Sequence, residues 1–577
     1  MRTLGSSVRS LLVITALLAT VTAPALAQLH PLVPDGNTAI RVATPARIVP
    51  LPPLLEPVVP DASAGTMLPG LAACGPVTVA REIVTADIAH YTYGVRTGPG
   101  KYDRIRVHRV VRETRPGKPI KAAKNLFFQH GDCKDFMGMC LPGLLSPVPA
   151  RDFGFAVFLA QNGVDVWGID QSWTLVPETE TDFAFMADWG LDHTMRDLRL
   201  GITIASAIRF ATGSGPGPMI LCGYSSGVLS TAALLNDETH LPPVLRQVSG
   251  YIPVDCPITS NDAAVQQAFI GDLALQDAAL AAGQYGAFVP FRMLGQLARS
   301  APGDPSPLVP GFTNLEIALY FSFAPGAAPP FPFHYWAGIL DPDGMPTGPR
   351  FTDREVWLNF LETAIVWQPA RFFHDYDILI SKASDSPFDD HLGQVRVPVL
   401  NVAAGGGFAE WTQYGVSLLG STDVQNLIAS VGPPVESDFG HIDLFTSTMA
   451  QEFFWQPALD WITDHASDRV VPRLGAEPVA AEIATPAEQP RLAFLGSSPN
   501  PARGAFRLDF VLADWSPASL AVVDIVGRLV HSQEVGDLGP GRHQVVLNDG
   551  ARLSPGVYFV RLGQSGQSLT RRIAMVP

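Results

Sequence analysis

The sequence predicts an α/β protein: a largely parallel sheet covered by helices, followed by a small all-β unit at the C-terminus. Three observations carry this. From Thr78 to about Leu235, short apolar runs alternate with helical stretches, the pattern of strands buried on both faces. One run, Met219-Ile220-Leu221-Cys222, passes through a Gly/Ser turn directly into Val228–Leu235, a good helix former. From Arg491 onwards the texture is strand alone.

A chain of 577 residues exceeds what one core supports, so two or more domains are expected. With 47% hydrophobic and 16% charged residues, most of it should be globular, and 52 prolines with 52 glycines imply irregular stretches as well. The formal charge of -15 argues against nucleic acid or an anionic membrane as a partner.

The elements follow in order. Arg2 and Arg9 precede the apolar run "LLVITALLATV", and Ala25-Leu26-Ala27 supplies a small-x-small cleavage site, so residues 1–27 are expected to be a secretory signal peptide. No later stretch sustains the length of a membrane span. Residues 28–72 are proline-rich and read as a linker. The main domain, 73–466, then opens with "TVAREIVTADIAHYTYGV" and "DRIRVHRVVRE", strands parted by the turn residues Gly98-Pro99-Gly100. "KNLFFQHGD" is a strand running into a His-Gly turn, "ARDFGFAVFLAQNG" a helix, "VDVWGID" a strand, and Asp188 to Thr212 a long amphipathic helix. After the Gly/Ser turn and its helix comes "VSGYIPVD", a strand ending in Asp255. Residues 256–394 then lose the alternation and are dense in Phe, Trp, Tyr and Pro. Regularity returns with "VRVPVLNVAA", then "DVQNLIAS", "ESDFGHIDLF" and a terminal helix "EFFWQPALDWITDHA". Residues 467–490 read as a second linker, and 491–577 as a β-sandwich with strands "GAFRLDFVL", "SLAVVDIVGRLV", "RHQVVLN", "GVYFVRL" and "TRRIAMV".

Five cysteines in an exported protein allow two disulfides at most. Cys133 and Cys140 flank "KDFMGM" and suggest a small clasped loop; Cys222 reads as a buried hydrophobe, and the pairing of Cys74 and Cys256 stays open. No Cys/His cluster has zinc spacing, so no structural metal is expected.

The chemistry centres on Gly223-Tyr224-Ser225-Ser226-Gly227. G-x-S-x-G is common by chance, but strand, sharp turn and helix form the context a nucleophile elbow requires. A serine hydroxyl is a weak nucleophile and needs a base within hydrogen-bond reach. Of 13 histidines, His441 stands out, because Gly440-His441 follows the last strand of the domain. His193, His374 and His391 have no such context. The order His130-Gly131, elbow, Gly440-His441 across residues 78–466 resembles the α/β-hydrolases of esterase/lipase kind with an inserted cap. The resemblance implies an α/β-hydrolase sheet, Ser225 as nucleophile and His441 as base. It places the oxyanion-hole N–H groups at Ser226 and at Asp132 or Cys133, with His130 and Gly131 supporting that loop and Gly223 and Gly227 permitting the turn. The insertion at about 256–394 becomes a cap walling an apolar pocket. The sequence lacks the His-Gly-Gly-Gly of some lipases, which leaves the second donor open between those two residues.

The triad acid has three candidates. In most of the family it follows the strand after the cap, but there stand Gly405-Gly406-Gly407 and no aspartate, with Glu410 the first carboxylate and Asp423 the next. Asp255 ends a strand at the edge where ligands meet a parallel sheet and is preferred, with Glu410 and Asp423 as alternatives. Asp438 and Asp443 read as ordinary loop carboxylates. The expected activity is hydrolysis of carboxylic esters with hydrophobic groups, with no metal or organic cofactor. Amide or peptide cleavage on the same triad, or a non-catalytic binding protein on a hydrolase scaffold, are the alternatives.

At the C-terminus, "NPARGAFRLDFVL", "VVDIVGRLV", "SPGVYFVRL" and "TRRIAMV" resemble the C-terminal sorting domain of type IX secretion cargo, akin to the immunoglobulin-like flagellar hook-cap module. The resemblance implies a Gram-negative bacterium, the type IX machinery as partner, and a secreted or cell-surface destination.

Overall fold

The computed structural model describes residues 78–326, 331, 333–466 and, with short breaks, 492–576. The expected signal peptide, both linkers, Cys74 and Ile525 to Gly527 of the C-terminal turn lie outside the described residues. The chain forms two compact units, Met1–Arg473 and Leu474–Pro577.

The first unit is built on a ten-stranded sheet. Its principal strands are β1 (Thr78–Thr85), β2 (Ile88–Arg96), β3 (Arg104–Arg115), β4 (Asn125–Gln129), β5 (Asp165–Asp170), β6 (Met219–Tyr224), β7 (Val248–Val254), β8 (Val399–Ala404) and β9 (Val424–Ala429). They lie in the order β1-β2-β3-β5-β4-β6-β7-β8-β9, with the short strand Lys118–Pro119 beside β3. β1, β2, β3 and β5 pair antiparallel, and every pairing from β5 through β9 is parallel. This is the mostly parallel sheet of the α/β-hydrolase fold. β5, β6 and β8 are buried at every residue, which is why their interiors are mostly apolar and show no apolar/polar alternation.

Helices α1 (Phe155–Gln161), α2 (Leu191–Ala211) and α3 (Gly227–Glu238) cover the sheet. Neighbouring side chains of one strand feed opposite faces: Phe128 joins the core around Phe155 and Trp455, and Phe127 the one around Trp167 and Ile202. α1 begins at Phe155 rather than near Ala150. Gly154 there holds φ +155 with the Cys140 carbonyl 2.5 Å from where a Cβ would stand, a geometry no helical residue shares. At the start of β5, Asp165 is fully buried, gripped by Arg109 of β3 at 2.8 and 3.0 Å and by Arg209 of α2 at 2.6 Å.

Between β7 and β8 the chain leaves the sheet. It forms α4 (Ala263–Ala281), α5 (Phe291–Ser300), α6 (Asn314–Phe323), α7 (Arg354–Glu362) and α8 (Ala370–Ser381). Two small sheets, Gly286–Phe288 with Trp367–Pro369 and Gly338–Leu340 with Pro346–Pro349, complete it. After β9 the expected single terminal helix is two pieces, a π-helical turn Gln451–Trp455 and α9 (Gln456–His465), with Pro457 in the first turn of α9.

The second unit holds two antiparallel sheets formed by β10 (Ala493–Ser498), β11 (Phe506–Leu512), β12 (Ala518–Asp524), β13 (Leu529–Glu534), β14 (Gly541–Leu547), β15 (Gly556–Gln564) and β16 (Gln567–Met575). Their orders are β10-β11-β14 and β13-β12-β15-β16. Alternate side chains such as Phe506, Leu508, Phe510, Leu520, Val522, Val560 and Leu562 make one core. β10 was not foreseen from the sequence; its register shift between Phe494 and Gly496 breaks the alternation that marks the other strands. Asp524 accepts from the N–H of Arg528 at 2.9 Å and pairs with its guanidinium, bridging the turn between β12 and β13.

Candidate active site

At the end of β6 the chain turns abruptly into α3, and Ser225 sits at the apex with φ +55, a left-handed conformation strained for any residue but glycine. Its N–H bonds to the Val254 carbonyl at 3.0 Å, fixing the elbow to the next strand. The flanking glycines are required by space. A Cβ on Gly223 would meet Thr231 Oγ1 at 2.3 Å, and one on Gly227 the His130 carbonyl at 2.5 Å.

His441 is buried between Tyr224, stacked on its ring at 4.7 Å, and Phe333 and Phe408. Its Nε2 lies 3.0 Å from Ser225 Oγ and its Nδ1 2.7 Å from Asp255 Oδ2. Asp255 is fully buried at φ +50, and its other oxygen, Oδ1, accepts from the N–H groups of Ala404 at 2.9 Å and Phe408 at 3.0 Å. The glycine turn after β8 therefore wraps this carboxylate. A Cβ on Gly407 would stand 2.1 Å from Asp255 Oδ2, one on Gly405 as close to Asp438, and one on Gly406 as close to His334.

The other two candidate acids lie elsewhere. Glu410 is exposed at the N-terminus of the helix Trp411–Ser417. Asp423 precedes β9 at the opposite end of the sheet and faces His465 at 3.1 Å. Asp438 and Asp443 pin the His441 loop. Asp438 accepts from the N–H groups of Val431 and Phe439, each at 2.7 Å. Asp443 takes those of Ala337 and Gly440 at 2.7 and 2.9 Å and the Thr352 hydroxyl at 2.7 Å. Burial pushes the Asp443 carboxyl up to about 6.

The turn after β4 closes over Ser225. A Cβ on Gly131 would lie 2.5 Å from that of Ser225, so only glycine lets this strand end come so near. His130 has one tautomer: its Nε2 accepts from the Gln171 N–H at 3.3 Å, so Nδ1 carries the proton and donates to the Gly131 carbonyl at 2.7 Å. Burial holds its pKa below the usual imidazole value. The N–H groups of Asp132 and Ser226 are engaged by no loop or turn carbonyl. The Asp132 side chain accepts from the Ser226 hydroxyl; it touches the cavity but is shut off from bulk water, which pushes it up to about 6.

One sequence expectation fails here. Cys133 and Cys140 form no clasp, and among the described residues both are free thiols, as are Cys222 and Cys256. The residues between them wind into a helix, Phe136–Cys140, whose N-terminus Asp135 caps through the Gly138 N–H at 2.8 Å. That helix carries Cys140 into the core, while Cys133 lines the cavity, its carbonyl held by the Ile365 N–H at 2.9 Å and its thiol pushed up to about 12 by burial.

The cavity above Ser225 measures about 1740 Å³. Its walls are aromatic and aliphatic, among them Phe291, Phe321, Phe333, Tyr335, Phe373 and Phe408, with Ser225, His441 and Asp132 at its floor. Tyr224, Phe333 and Phe408 as the setting of His441, and the aspartates that pin its loop, went unrecognised in the sequence. Tyr224 had a signal, since it stands next to the serine in the elbow.

Residues 498–576 match the family described as the secretion system C-terminal sorting domain. The chain is therefore addressed to secretion or the cell surface by type IX machinery. No curated protein sequence matches it. Among solved structures it is distantly similar to a putative lipase from Sulfolobus solfataricus, at 16% identity and TM-score 0.47 over 68% of this chain and 99% of that one. It is also similar to a fungal esterase from Rhizomucor miehei, at 12% and 0.33 over 66% and 84%. An acetyl xylan esterase from Paenibacillus sp. R4 is similar at 9% and 0.31 over 67% and 88%. Among the described residues no helix is long and apolar enough to cross a membrane.

Proposed function

We propose that this chain, an α/β-hydrolase-fold unit joined to a secretion sorting domain, is a secreted serine hydrolase that cleaves carboxylic esters. The observation that carries the reading is the continuous line Asp255–His441–Ser225 at 2.7 and 3.0 Å. In this reading His441 Nε2 takes the Ser225 proton as Oγ attacks the ester carbonyl, then returns it to the departing alcohol. Asp255 holds Nδ1–H toward itself, which keeps Nε2 free as the acceptor and favours the imidazolium once it forms. The N–H groups of Ser226 and Asp132 receive the oxyanion, and the acyl-enzyme is then opened by water on the same base. His130 fixes the Gly131 carbonyl and with it the direction of the Asp132 N–H.

The cavity supports an ester whose larger part is bulky and mostly apolar. The experiment is a panel of nitrophenyl esters of graded acyl length, run beside an aminopeptidase-type anilide. Ester cleavage that rises with acyl length before falling is expected, with the anilide far slower. A faster anilide would replace the esterase reading by a peptidase one, and no turnover of any substrate would leave the binding-protein alternative.

A further inference from the structure

The cavity over Ser225 carries charge that ester hydrolysis itself does not use. Six carboxyl groups line it, Asp132, Glu178, Glu180, Asp182, Asp272 and Asp377, against a single lysine, Lys134. Lys134 is engaged elsewhere: its ammonium bonds the Thr363 hydroxyl and lies 4.5 Å over the Phe360 ring. Glu178 and Glu180 are paired with Arg292 and Lys101, and Asp132 is bonded to Ser226. Asp377 of α8 has no such partner. It is only 4% exposed, and its Oδ2 is buried without a hydrogen bond. Among the described residues no cation pairs with it. A carboxyl stripped of water and left without a partner is unfavourable, and Asp377 stands in the cavity wall, where a turn of its side chain brings the carboxyl to a group that enters. Asp272 of α4, the helix packed against α8, lines the same wall, as do Phe269, Phe373 and Tyr376, rings of the kind that attract cations.

We propose that Asp377, with Asp272, is a recognition subsite for a positively charged nitrogen, so that the substrates of this site are esters carrying an ammonium group on the part lodged against α4 and α8. The inference rests on the ester-hydrolase reading above. An ammonium group supplies both things the wall lacks, N–H donors and positive charge. A hydroxyl would supply a hydrogen bond but no charge to hold Asp377 as the carboxylate, the form that Asp272 and Asp132 nearby disfavour. Burial, with Asp272 and Asp132 nearby, pushes the Asp377 carboxyl up to about 9, so the empty cavity holds a neutral acid, and binding of a cation releases its proton to water as the carboxylate pairs with the ammonium.

The test uses two matched series of esters, one varying the acyl chain and one the alcohol, each ending in ammonium, hydroxyl or methyl at graded lengths. Hydrolysis is measured for the full chain and for Asp377→Asn, Asp377→Glu and Asp272→Asn. At one length the ammonium ester should exceed its methyl counterpart in kcat/KM, chiefly through KM. Asp377→Asn should lower that ratio on the order of 30-fold, the loss expected when one partner of a buried charge pair is removed. Asp272→Asn should lower it less, and Asp377→Glu should retain part of it. Each ratio is taken within one protein, so a general loss of activity cancels. Should Asp377→Asn fail to fold, the native chain tests the same subsite: alkylammonium ions should inhibit it competitively and the matching alcohols should not, and equal inhibition by both would overturn the subsite. Equal rates for ammonium and methyl esters in both series, a ratio indifferent to Asp377→Asn, or preference for the hydroxyl ester would overturn the subsite while leaving the hydrolase standing. Hydrolysis of no ester at all would overturn the hydrolase, and this inference with it.

Discussion

Asp255 is held through both oxygens, Oδ1 by two backbone N–H groups of the glycine turn and Oδ2 by His441, so its carboxylate has no freedom to turn away. Asp255→Asn should keep the fold and lower kcat by about 10⁴-fold, because an amide there permits the wrong imidazole tautomer. Glu410→Gln and Asp423→Asn should stay close to the native rate. Equal losses in all three, measured on one nitrophenyl ester, would contradict the assignment. His130 gives a second residue-scale prediction. Its buried ring refuses the proton that the unfolded chain accepts, so stability should be lost as pH falls below about 6.5, by up to about 1.4 kcal/mol per pH unit. Urea unfolding at pH 7.5 and 5.5 should show that loss, and His130→Gln should reduce it, with buried His90 keeping a part of the slope; an unchanged slope would contradict it. At this scale Ser225 and His441, which the structure brings within 3.0 Å, could be singled out in the sequence because each stands in a context, a strand-turn-helix and a Gly-His loop. For the acid the sequence favoured Asp255 but left Glu410 and Asp423 open, because three carboxylates met the weaker condition of being near a strand end. The decisive fact, that Gly405 to Gly407 wrap another strand's aspartate, is a contact between distant segments, the Ala404 to Asp255 bond spanning 149 positions.

Among the elements, β5 begins with a charge in a wholly buried strand. Asp165 meets Arg109 from β3 and Arg209 from α2, and so ties the antiparallel part of the sheet to the helix across it. Asp165→Asn should cost about 3–5 kcal/mol, since two buried guanidinium groups lose their counter-charge. Replacing Arg209 alone leaves the bidentate Arg109 pair and should cost less. Urea unfolding of each variant checks the order, and a mild Asp165→Asn would contradict it. The central strands were legible as apolar runs of strand length, and α2 and α3 as helices between them. The segment from Cys256 to Gln394 was legible only as aromatic and irregular. Of its helices, α4 and α6 carry apolar residues all round and show no single stripe, while the stripes of α5, α7 and α8 run over only nine to twelve residues between irregular stretches. β10 was missed for the related reason that a register shift interrupts its alternation.

For the whole molecule, the two compact units and the sorting-domain match divide the proposed chemistry of the first unit from the address carried by the second. A chain ending at Ser467 should fold and keep its full ester-cleaving rate when made inside the cell, and in the native host it should stay in the periplasm. Measured by activity in culture fluid against cell fractions, normal export of the shortened chain would contradict the sorting role, and loss of activity would contradict independence of the first unit. The sequence separates two domains because each stretch keeps its own periodicity and the proline- and alanine-rich stretch between them keeps none. The central claim, that Ser225 is an activated nucleophile, is tested most directly by a fluorophosphonate probe followed by peptide mass spectrometry. The account predicts one adduct, on Ser225, absent from Ser225→Ala and strongly slowed in His441→Ala. An adduct on another serine, or none on the folded protein, would contradict it.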